Sequence, residues 1–496
     1  MIKKEKFTVL YIILGCITLN FIYSPLTPLF FDDKEIFNYA GLLIYRGGVP
    51  YRDVFDHKPP LIYFLNFLNW ISPWIFWLMD TLMVLFATLL FYRLCKKNKL
   101  AWPWFLPLLF NLMIRNSLTC FGNGMTREYT TVFLLIFFCV MQGQNRIKYY
   151  LLGLLTGLIF WMQQDAVITL APFLCYTVFI YEKSPAAGIE YTRQGIGNKI
   201  FSLSIGFLFI TLPVILYFYL HHALIYLWKD AFLFNMQAKP VHKSLYTEIR
   251  TIKHALHESE YEMAFYISLI LGIAAIFLKN KKQSLLRIGL LALILSFAGE
   301  FISGRLLPGN AFIYYLLPLS ATVPILIYIV FTQSQAAFLQ DRTAQLIFHI
   351  LLCLTLFLGM LRYASNIHFS GEPYAGEDEP STIEYLNIQS ISDFKLFVFD
   401  DSNLIYLYNK NKILSPSPWI YHYFYGWYPD WDKDKSILHS VFSELLTHKT
   451  TWVLDCSDSK GNFGNREIYV EWKKFLNEHY VLMITDSSKR MLWKIQ

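Results

Sequence analysis

Long apolar runs recur along the first 363 residues of this chain of 496 residues, and they constrain its fold more than any other feature. A helix needs roughly 20 apolar residues to cross the hydrocarbon core of a bilayer. Eleven runs predict transmembrane helices, of which the fifth is the shortest. They lie at residues 7–26, 72–94, 100–116, 127–142, 149–162, 165–182, 200–221, 263–279, 285–303, 312–332 and 344–363.

Composition excludes several other protein classes. Hydrophobic residues make up 55% of the chain and charged residues 16%, whereas a soluble domain carries about 25% charged residues. An ordinary cytosolic, disordered or collagenous protein is therefore excluded. The seven cysteines form no CxxC pair and indicate neither a disulfide framework nor a cysteine metal site. Basic residues form short clusters between apolar runs, so no nucleic acid partner is expected.

The positions of those basic clusters predict the orientation of the chain in the membrane. Clusters precede the first helix, follow the second and fourth, and join the eighth to the ninth. If eleven helices alternate in direction, all of these clusters fall on one side, which is then the cytoplasmic side. A multi-pass protein of the cytoplasmic (inner) membrane is predicted. Its N-terminus lies in the cytoplasm, and its C-terminal segment lies on the exterior, periplasmic face.

The first exterior loop, residues 27–71, is unusually long and contains many candidate functional residues. Apolar residues at helical spacing predict a short amphipathic helix lying on the membrane surface, and the opposite side carries Lys34, Glu35 and Asn38. Gly47 and Gly48 are expected to end this helix. A second apolar piece, residues 60–68, is expected to return along the interface. The apolar positions of the helix are Ile36, Phe37, Ala40, Leu43 and Ile44.

Charged residues bracket these two apolar pieces. The acids are Asp33, Asp53 and Asp56, and among them lie Arg52, His57 and Lys58. A carboxylate at a membrane interface loses solvation, which raises its basicity and suits a general base. Neighbouring cations suit a phosphate. This chemistry fits sugar transfer from a phosphate-linked donor, while a solvated loop whose charges pair with each other stays the alternative.

The loop also resembles a known family. The pattern DxxxFxYxGxxxxxGGxPYRDxxDHKPPxxYF, from Asp33 to Phe64, is similar to the first exterior loop of family 39 glycosyltransferases. These are membrane enzymes of the C superfamily, which includes protein O-mannosyltransferases and lipid A aminoarabinose transferases. Weaker similarity covers residues 121–138, 153–173 and 302–319, so the resemblance spans residues 1–363.

The resemblance implies roles for individual residues. Asp33 matches the catalytic acid of the family and is the expected base for the acceptor hydroxyl. Asp56 or His57 stands where a second acidic or polar site residue is found. Asp56 is the second catalytic candidate, and His57 is assigned to the binding of the donor. Lys58 is expected to meet the lipid phosphate, and Arg305 is a second phosphate candidate.

Four further residues are assigned to the binding of the donor phosphate and sugar. They are Arg52 and Asp53 in the first loop, and Arg127 and Glu128 at the exterior start of the fourth helix. The chain departs from the family in having His57 where many members have Glu. No cofactor is indicated, and the need for a divalent metal stays open. An acid inside the second helix, Asp80, is expected to pair internally.

The region after residue 363 differs in character. Acidic residues outnumber basic residues by 5 in residues 364–496, whereas basic residues outnumber acidic residues by 12 before them. Strands are predicted at 394–400, 451–456, 480–485 and 491–495, with helices at 436–447 and 467–479. Residues 380–496 are therefore expected to form a small exterior α/β domain that caps the enzyme or binds the acceptor, following the transmembrane domain of residues 1–363.

The function that follows is an inverting glycosyltransferase of the C-type fold that uses Asp33 as its base. The donor is a polyprenyl-phosphate-linked sugar, and the acceptor is a surface glycan, a lipid or a protein on the exterior face, with membrane lipids around it. Two alternatives stay open: a flippase or transporter of lipid-linked glycans, and a polymerase or ligase that uses them.

Overall fold

The protein is described by a computed structural model. It covers residues 2–21, 23–26, 32–115, 124–143, 147–180, 195–237, 261–277, 283–306, 316–333, 381–420, 432–458 and 466–496, with short pieces at 250–257 and 341–354. Within residues 1–333, the described regular elements are helices. These are α1 (Ile2–Phe21), α2 (Asp32–Tyr45), α3 (Leu61–Ile71), α4 (Pro73–Lys97), α5 (Phe105–Ile114), α6 (Thr126–Met141), α7 (Lys148–Met162), α8 (Val167–Cys175), α9 (Ile196–Leu220), α10 (Leu224–Trp228), α11 (Glu262–Phe277), α12 (Gln283–Leu306) and α13 (Leu319–Gln333).

Ten of the eleven predicted transmembrane segments contain a described helix. The eleventh, residues 344–363, lies mostly outside the described residues. Among the described helices, α4 and α9 are long and apolar enough to cross a bilayer, and the other apolar helices are shorter. The number of membrane crossings therefore stays a prediction. Large apolar side chains of α9 are exposed on the protein surface, among them Phe201 and Leu212, as expected of a helix that faces lipid.

Two helices of the body approach each other unusually closely. On α7, a Cβ added at Gly153 would lie 2.0 Å from the Leu203 carbonyl oxygen of α9. A Cβ added at Gly206 on α9 would lie 2.0 Å from the Tyr150 carbonyl oxygen. Small residues let helix backbones meet in this way inside membranes, where van der Waals packing rather than the hydrophobic effect holds helices together.

The first exterior loop folds as two antiparallel helical pieces, α2 and α3. Gly47, at φ +86°, ends α2 as predicted. The apolar face of α2 is buried within the protein, including Ile36, Phe37 and Ala40. The prediction that α2 lies with this face on the membrane surface is therefore wrong, because α3 and the C-terminal region cover the helix. Glu35, expected on the solvated side, is also buried.

The contact between α2 and α3 depends on Gly41. A Cβ added at this position would lie 2.7 Å from the carbonyl carbon of Asn66 on α3. Beside it, the Asn69 amide donates to Asn38 Oδ1 at 2.9 Å, and the Trp70 indole donates to the Asn38 carbonyl at 2.8 Å. The two helices therefore form one unit.

We expect Gly41→Val to destabilise the purified protein by about 1–3 kcal/mol, because the added carbons force α2 away from α3. Thermal unfolding in detergent measures the effect. Gly195→Ala is the matched control, since a Cβ at Gly195 meets nothing within 4 Å. Equal unfolding temperatures for the two variants would contradict the close approach of α2 and α3.

The C-terminal region forms an α/β unit whose strands and helices confirm the predicted elements. Its sheet has the order β1-β2-β4-β3, in which β1 and β2 are parallel and the other neighbours are antiparallel. The bounds of the domain and its position outside the membrane stay predictions. The elements are α14 (Ser381–Ile388), β1 (Leu396–Phe399), α15 (Tyr406–Asn411), α16 (Ser436–Thr447), β2 (Trp452–Asp455), α17 (Arg466–His479), β3 (Tyr480–Thr485) and β4 (Met491–Ile495).

The two faces of this sheet enter different cores. On one face, Phe399 stacks on Trp472 of α17 with ring centroids 4.1 Å apart. On the other face, Leu396 and Val398 share a buried apolar cluster with Ile36 and Ala40 of α2. Because alternate residues of a strand point to opposite faces, a buried strand such as β1 is covered on both sides. The C-terminal unit is thus packed against the first exterior loop.

Candidate active site

Asp56 is a buried carboxylate of the exterior loop. Its Oδ2 accepts a hydrogen bond from the Tyr63 hydroxyl at 2.6 Å, and its Oδ1 accepts one from the His57 backbone N–H at 2.7 Å. The His57 Nδ1 lies 3.4 Å from the same Oδ1, and only 4% of the Asp56 side chain is exposed. A buried carboxylate with these partners has a fixed orientation.

The backbone of Lys58 is fixed by two tyrosines. The Lys58 carbonyl accepts a hydrogen bond from the Tyr51 hydroxyl at 2.6 Å. The Tyr63 hydroxyl lies 3.0 Å from the same carbonyl and shares its single proton between this oxygen and Asp56. Tyr51 has a φ of 67°, in the left-handed region that costs a non-glycine residue energy. The loop therefore holds a strained turn that places Lys58, which is itself partly exposed, beside Asp56.

His57 is the neutral member of this group. Burial lowers the pKa of the His57 imidazole well below its ordinary value, and the Lys58 charge lowers it further. A neutral imidazole contributes no positive charge toward a phosphate, but it can exchange hydrogen bonds with hydroxyl groups. This distinguishes the chemistry of His57 from that of Lys58, although the two residues are adjacent.

Arg52 and Asp53 pair with each other. Arg52 Nε donates to Asp53 Oδ1 at 2.8 Å and Arg52 Nη2 donates to Asp53 Oδ2 at 2.7 Å. Asp53 Oδ2 also accepts the Val49 backbone N–H at 2.8 Å. Arg52 Nη1 donates in addition to the His221 carbonyl at 3.2 Å. For these two residues the structure fits the alternative hypothesis, in which the charges of the loop pair with each other.

Asp33 lies in the first turn of α2 and is partly exposed. One turn later, the Phe37 ring lies 6.2 Å from the Tyr63 ring, measured between centroids. Residues four apart share one face of a helix, so Asp33 belongs to the face of α2 that meets Tyr63. Because Tyr63 donates to Asp56, the two acids proposed as catalytic lie on one side of this helix.

A segment after α10 adds Asp230, a residue that was not identified from the sequence, to this side of the site. A π-helical turn, Lys229–Phe234, follows α10. Next to it, the Asn235 amide donates to the His57 carbonyl at 2.8 Å. The Phe234 ring lies 5.3 Å from the Phe55 ring, measured between centroids. The turn carries Asp230, whose carboxyl interacts electrostatically with that of Asp56.

Burial, and to a lesser extent the charge of Asp56, raises the pKa of Asp230 to about 8. An unfolded Asp titrates near pH ~4. Between pH ~4 and about 8, Asp230 is therefore protonated in the folded state but ionised in the unfolded state, and the stability of the folded state falls as the pH rises through this range.

We expect Asp230→Asn to raise the unfolding temperature more at about pH 8 than at about pH 5, because asparagine does not ionise and so removes the loss of stability at high pH. Thermal unfolding at the two pH values measures it.

The control for the Asp230 prediction is Glu478→Gln, which changes an exposed acid on α17. This variant should shift the unfolding temperature equally at both pH values. The same pH-independent shift in Asp230→Asn would contradict a buried Asp230 beside Asp56.

Arg127 lies at the start of α6 and pairs with Asp165 at 3.1 Å. The neighbouring Thr126 hydroxyl donates to Gln163 at 2.8 Å, and the Gln164 amide donates to the Ala231 carbonyl at 3.0 Å. These contacts connect the start of α6, through residues 163–165, to the segment that carries Asp230. Arg305 lies in the last turn of α12, and its side chain is outside the described part of the chain.

Glu128 belongs to a different group. It is fully buried and forms an ion pair with Arg115, which also pairs with Asp80 at 2.5 Å. The second Glu128 oxygen accepts the Gly124 backbone N–H at 3.0 Å. The internal pairing expected for Asp80 is confirmed. Both Glu128 oxygens have partners within the helix bundle, so we leave Glu128 out of the proposed donor site. Arg115, the centre of the triad, was not identified from the sequence.

The described residues contain no group of three or more His, Cys, Asp or Glu side chains placed to hold a metal ion. Metal dependence therefore stays open, and the reaction described below uses the side chains of the protein.

Comparison with known proteins identifies the fold. A crystal structure of ArnT from Cupriavidus metallidurans bound to undecaprenyl phosphate matches with a TM-score of 0.58 and 10% identity, over 98% of this chain and 97% of that chain. ArnT from the same organism in the apo state matches with a TM-score of 0.54 and 10% identity, over 99% and 98%. No family model and no curated protein matches.

The match runs from the first helices through the C-terminal unit. The chain therefore shares the fold of the two ArnT structures over nearly its whole length, as the resemblance of the exterior loop predicts. At 10% identity the comparison establishes this fold, and the site residues rest on the motif and on the geometry above.

Proposed function

We propose that this chain is an inverting glycosyltransferase of the cytoplasmic membrane. It moves a sugar from a polyprenyl-phosphate donor to a glycan, lipid or protein acceptor on the exterior face. The observation that carries the proposal is the fold shared over nearly its full length with ArnT, whose structure holds undecaprenyl phosphate. The Asp33–Phe64 motif supports the same function, since it includes the buried Asp56 with its bonds to Tyr63 and to the His57 backbone.

Asp33 is the proposed base. The acceptor hydroxyl oxygen bonds to the anomeric carbon while its proton passes to the Asp33 carboxylate. The bond between that carbon and the phosphate oxygen breaks, and its electron pair leaves with the polyprenyl phosphate. Attack opposite the leaving group inverts the anomeric centre. The position of Asp33 on the α2 face that meets Tyr63 supports this role, because Tyr63 holds Asp56 beside Lys58.

Lys58 is the proposed cation for the donor phosphate, with Arg305 as its partner. A phosphate monoester is a weak base and leaves without a general acid, but the charge that it gains must be stabilised. The two tyrosine hydroxyls that hold the Lys58 carbonyl fix where its side chain begins. Arg127 already faces Asp165, and Arg52 faces Asp53. We therefore propose that these two arginines stabilise the structure of the site through their ion pairs.

Asp56, His57 and Asp230 are proposed to face the sugar. Asp56 holds its orientation through Tyr63 and the His57 backbone. The neutral His57 ring can donate and accept hydrogen bonds with sugar hydroxyls. The raised pKa of Asp230, about 8, favours a protonated carboxyl that can donate a hydrogen bond. With Asp33, these groups suit a polar sugar beside an anionic carrier.

The topology belongs to the same proposal. Residues 1–363 are the transmembrane transferase domain with its N-terminus in the cytoplasm, and residues 380–496 are the exterior domain. The packing of the C-terminal unit on α2 supports this arrangement, because a domain that contacts the catalytic loop must lie on the same side of the membrane.

A reconstituted reaction tests the proposal. Membrane extract from cells lacking the protein supplies both donor and acceptor, and purified wild-type protein is then added. We expect a polyprenyl-phosphate sugar to disappear while free polyprenyl phosphate appears in equal amount by mass spectrometry. Consumption of diphosphate-linked glycans, or no change in the lipids, would contradict the proposal. Glu478→Gln protein should behave as wild type.

A further inference from the structure

One stripe of α2 contacts the C-terminal unit at successive turns. The Ser415 backbone N–H donates to the Tyr39 hydroxyl at 2.8 Å. At the end of the helix, Arg46 Nη2 donates to the Lys412 carbonyl at 2.9 Å. Glu35, Tyr39 and Arg46 follow the helical repeat of 3.6 residues and lie on one side. The helix whose first turn carries the proposed base is therefore packed between α3 and the C-terminal unit.

The contact nearest to Asp33 is made by Asn409 of α15. Its side-chain amide donates to Glu35 Oε2 at 2.6 Å and to the Glu35 backbone carbonyl at 2.9 Å. Because a carbonyl can only accept, the NH₂ group of Asn409, and not its oxygen, must face α2. A single amide group thus holds both the backbone and the side chain of a residue in the first turn of α2.

This contact is buried, and its donor is rigid. Glu35 is 6% exposed and Asn409 is 8% exposed. Burial raises the pKa of the Glu35 carboxyl, and the bond from Asn409 opposes that rise. Asn409 is fixed in turn, because the neighbouring Tyr408 hydroxyl accepts the Val398 backbone N–H of β1 at 2.9 Å. A buried group that loses its hydrogen-bond partner is destabilising, so the first turn of α2 depends on this contact.

We propose that Asn409 is a positioning residue for sugar transfer, through which the C-terminal unit fixes the first turn of α2 and so places Asp33. This inference rests on the proposed function. It gives the C-terminal unit a role in the reaction in addition to covering the site. The path runs from the sheet through Tyr408 and Asn409 to Glu35, which lies two residues after Asp33 in the same turn.

The test compares Asn409→Ala with Asn411→Ala. Asn411 lies on the same short helix and donates to the Leu407 carbonyl within it, so its loss leaves α2 untouched. Wild type and both variants are purified as full chains. Transfer is measured with the polyprenyl-phosphate sugar extracted from cells lacking the protein. Hydrogen exchange is measured over the peptide that contains residues 33–39.

We expect Asn409→Ala to lower kcat by about 10- to 100-fold, since small displacements of a catalytic group have effects of this size. The KM for the donor should stay unchanged, because Lys58 is not moved. The peptide at 33–39 should exchange faster, and the pH at which transfer reaches half its maximum should shift. A loss of folded protein would lower the rate equally at every pH. Asn411→Ala should match wild type.

Asn409→Asp provides a variant of nearly the same shape. The new carboxyl group cannot donate to Glu35 when ionised, but it donates once protonated. We therefore expect its activity relative to wild type to rise as the pH falls. Activity equal to wild type at every pH in both Asn409 variants, with unchanged exchange at 33–39, would overturn the inference.

The outcomes separate the two proposals. If wild-type protein fails to consume the polyprenyl-phosphate sugar, the proposed function fails and the role of Asn409 in transfer fails with it. The exchange data would then still report whether Asn409 holds α2. If wild type transfers the sugar and the Asn409 variants transfer it equally well, the proposed function stands and the positioning role alone is wrong.

Discussion

Replacing Asp33 by Asn is expected to lower the rate of sugar transfer by about 10²- to 10⁴-fold, the usual contribution of a general base. The amide has nearly the shape of the carboxylate but cannot take the proton of the acceptor hydroxyl. Since Asp33 is partly exposed in the first turn of α2, folding should be retained. The measurement is the initial rate of polyprenyl phosphate release by purified protein.

Two comparisons make the Asp33 result specific. The unfolding temperature of Asp33→Asn should equal that of wild type, which separates catalysis from stability. Glu478→Gln removes an exposed acid of the C-terminal unit, and its transfer rate should be unchanged. A well-folded Asp33→Asn protein with the rate of wild type would exclude Asp33 as the base.

The second large effect is expected at Arg115. Its guanidinium pairs with both Asp80 and Glu128, and none of these side chains is more than 1% exposed. Arg115→Met leaves two acids without their cation inside the bundle. Breaking a buried ion pair by removing one partner costs about 3–5 kcal/mol. We therefore expect this variant to accumulate poorly in membranes and to unfold at a lower temperature than wild type.

Arg93→Met is the matched control, because Arg93 is exposed at the end of α4. It should retain wild-type stability. Combining Arg115→Met with Asp80→Asn and Glu128→Gln removes the uncompensated charges and should recover much of the loss. The Gln oxygen can still accept the Gly124 N–H. If Arg115→Met alone unfolds at the temperature of wild type, the triad does not stabilise the bundle.

The exterior loop could be predicted from its sequence because its features are local. Helical spacing from Ile36 to Ile44 and the glycines after it fix α2, and the structure confirms both. The strands of the C-terminal region could also be predicted, because each is a short apolar run. The candidate site residues between 52 and 58 also lie close together in the structure, because they belong to one short turn that is fixed by hydrogen bonds.

The site residues that were not identified from the sequence contact residues that lie far away along the chain. Asp230 reaches Asp56 across 174 positions because the segment 224–237 folds back beside His57. Asn409 reaches Glu35 across 374 positions. Neither residue stands in a motif, and asparagine is common on surfaces. The wrong prediction for the apolar face of α2 has the same cause. An amphipathic helix does not reveal whether lipid or another part of the protein covers it.

The charge of Arg127 also does not reveal from the sequence which group it faces. The structure gives Arg127 a partner in Asp165, which lies 38 positions later. This partner follows from how α6 packs against the turn after α7, and no spacing rule in the sequence predicts it.

The central claim is tested most directly by the lipids of living cells. Membrane lipids from cells lacking the protein, from cells carrying wild type and from cells carrying Asp33→Asn are compared by mass spectrometry. The account predicts that one polyprenyl-phosphate sugar accumulates without the protein and with Asp33→Asn, and that wild type removes it. Accumulation of diphosphate-linked oligosaccharides instead would contradict the transferase and support a polymerase or flippase.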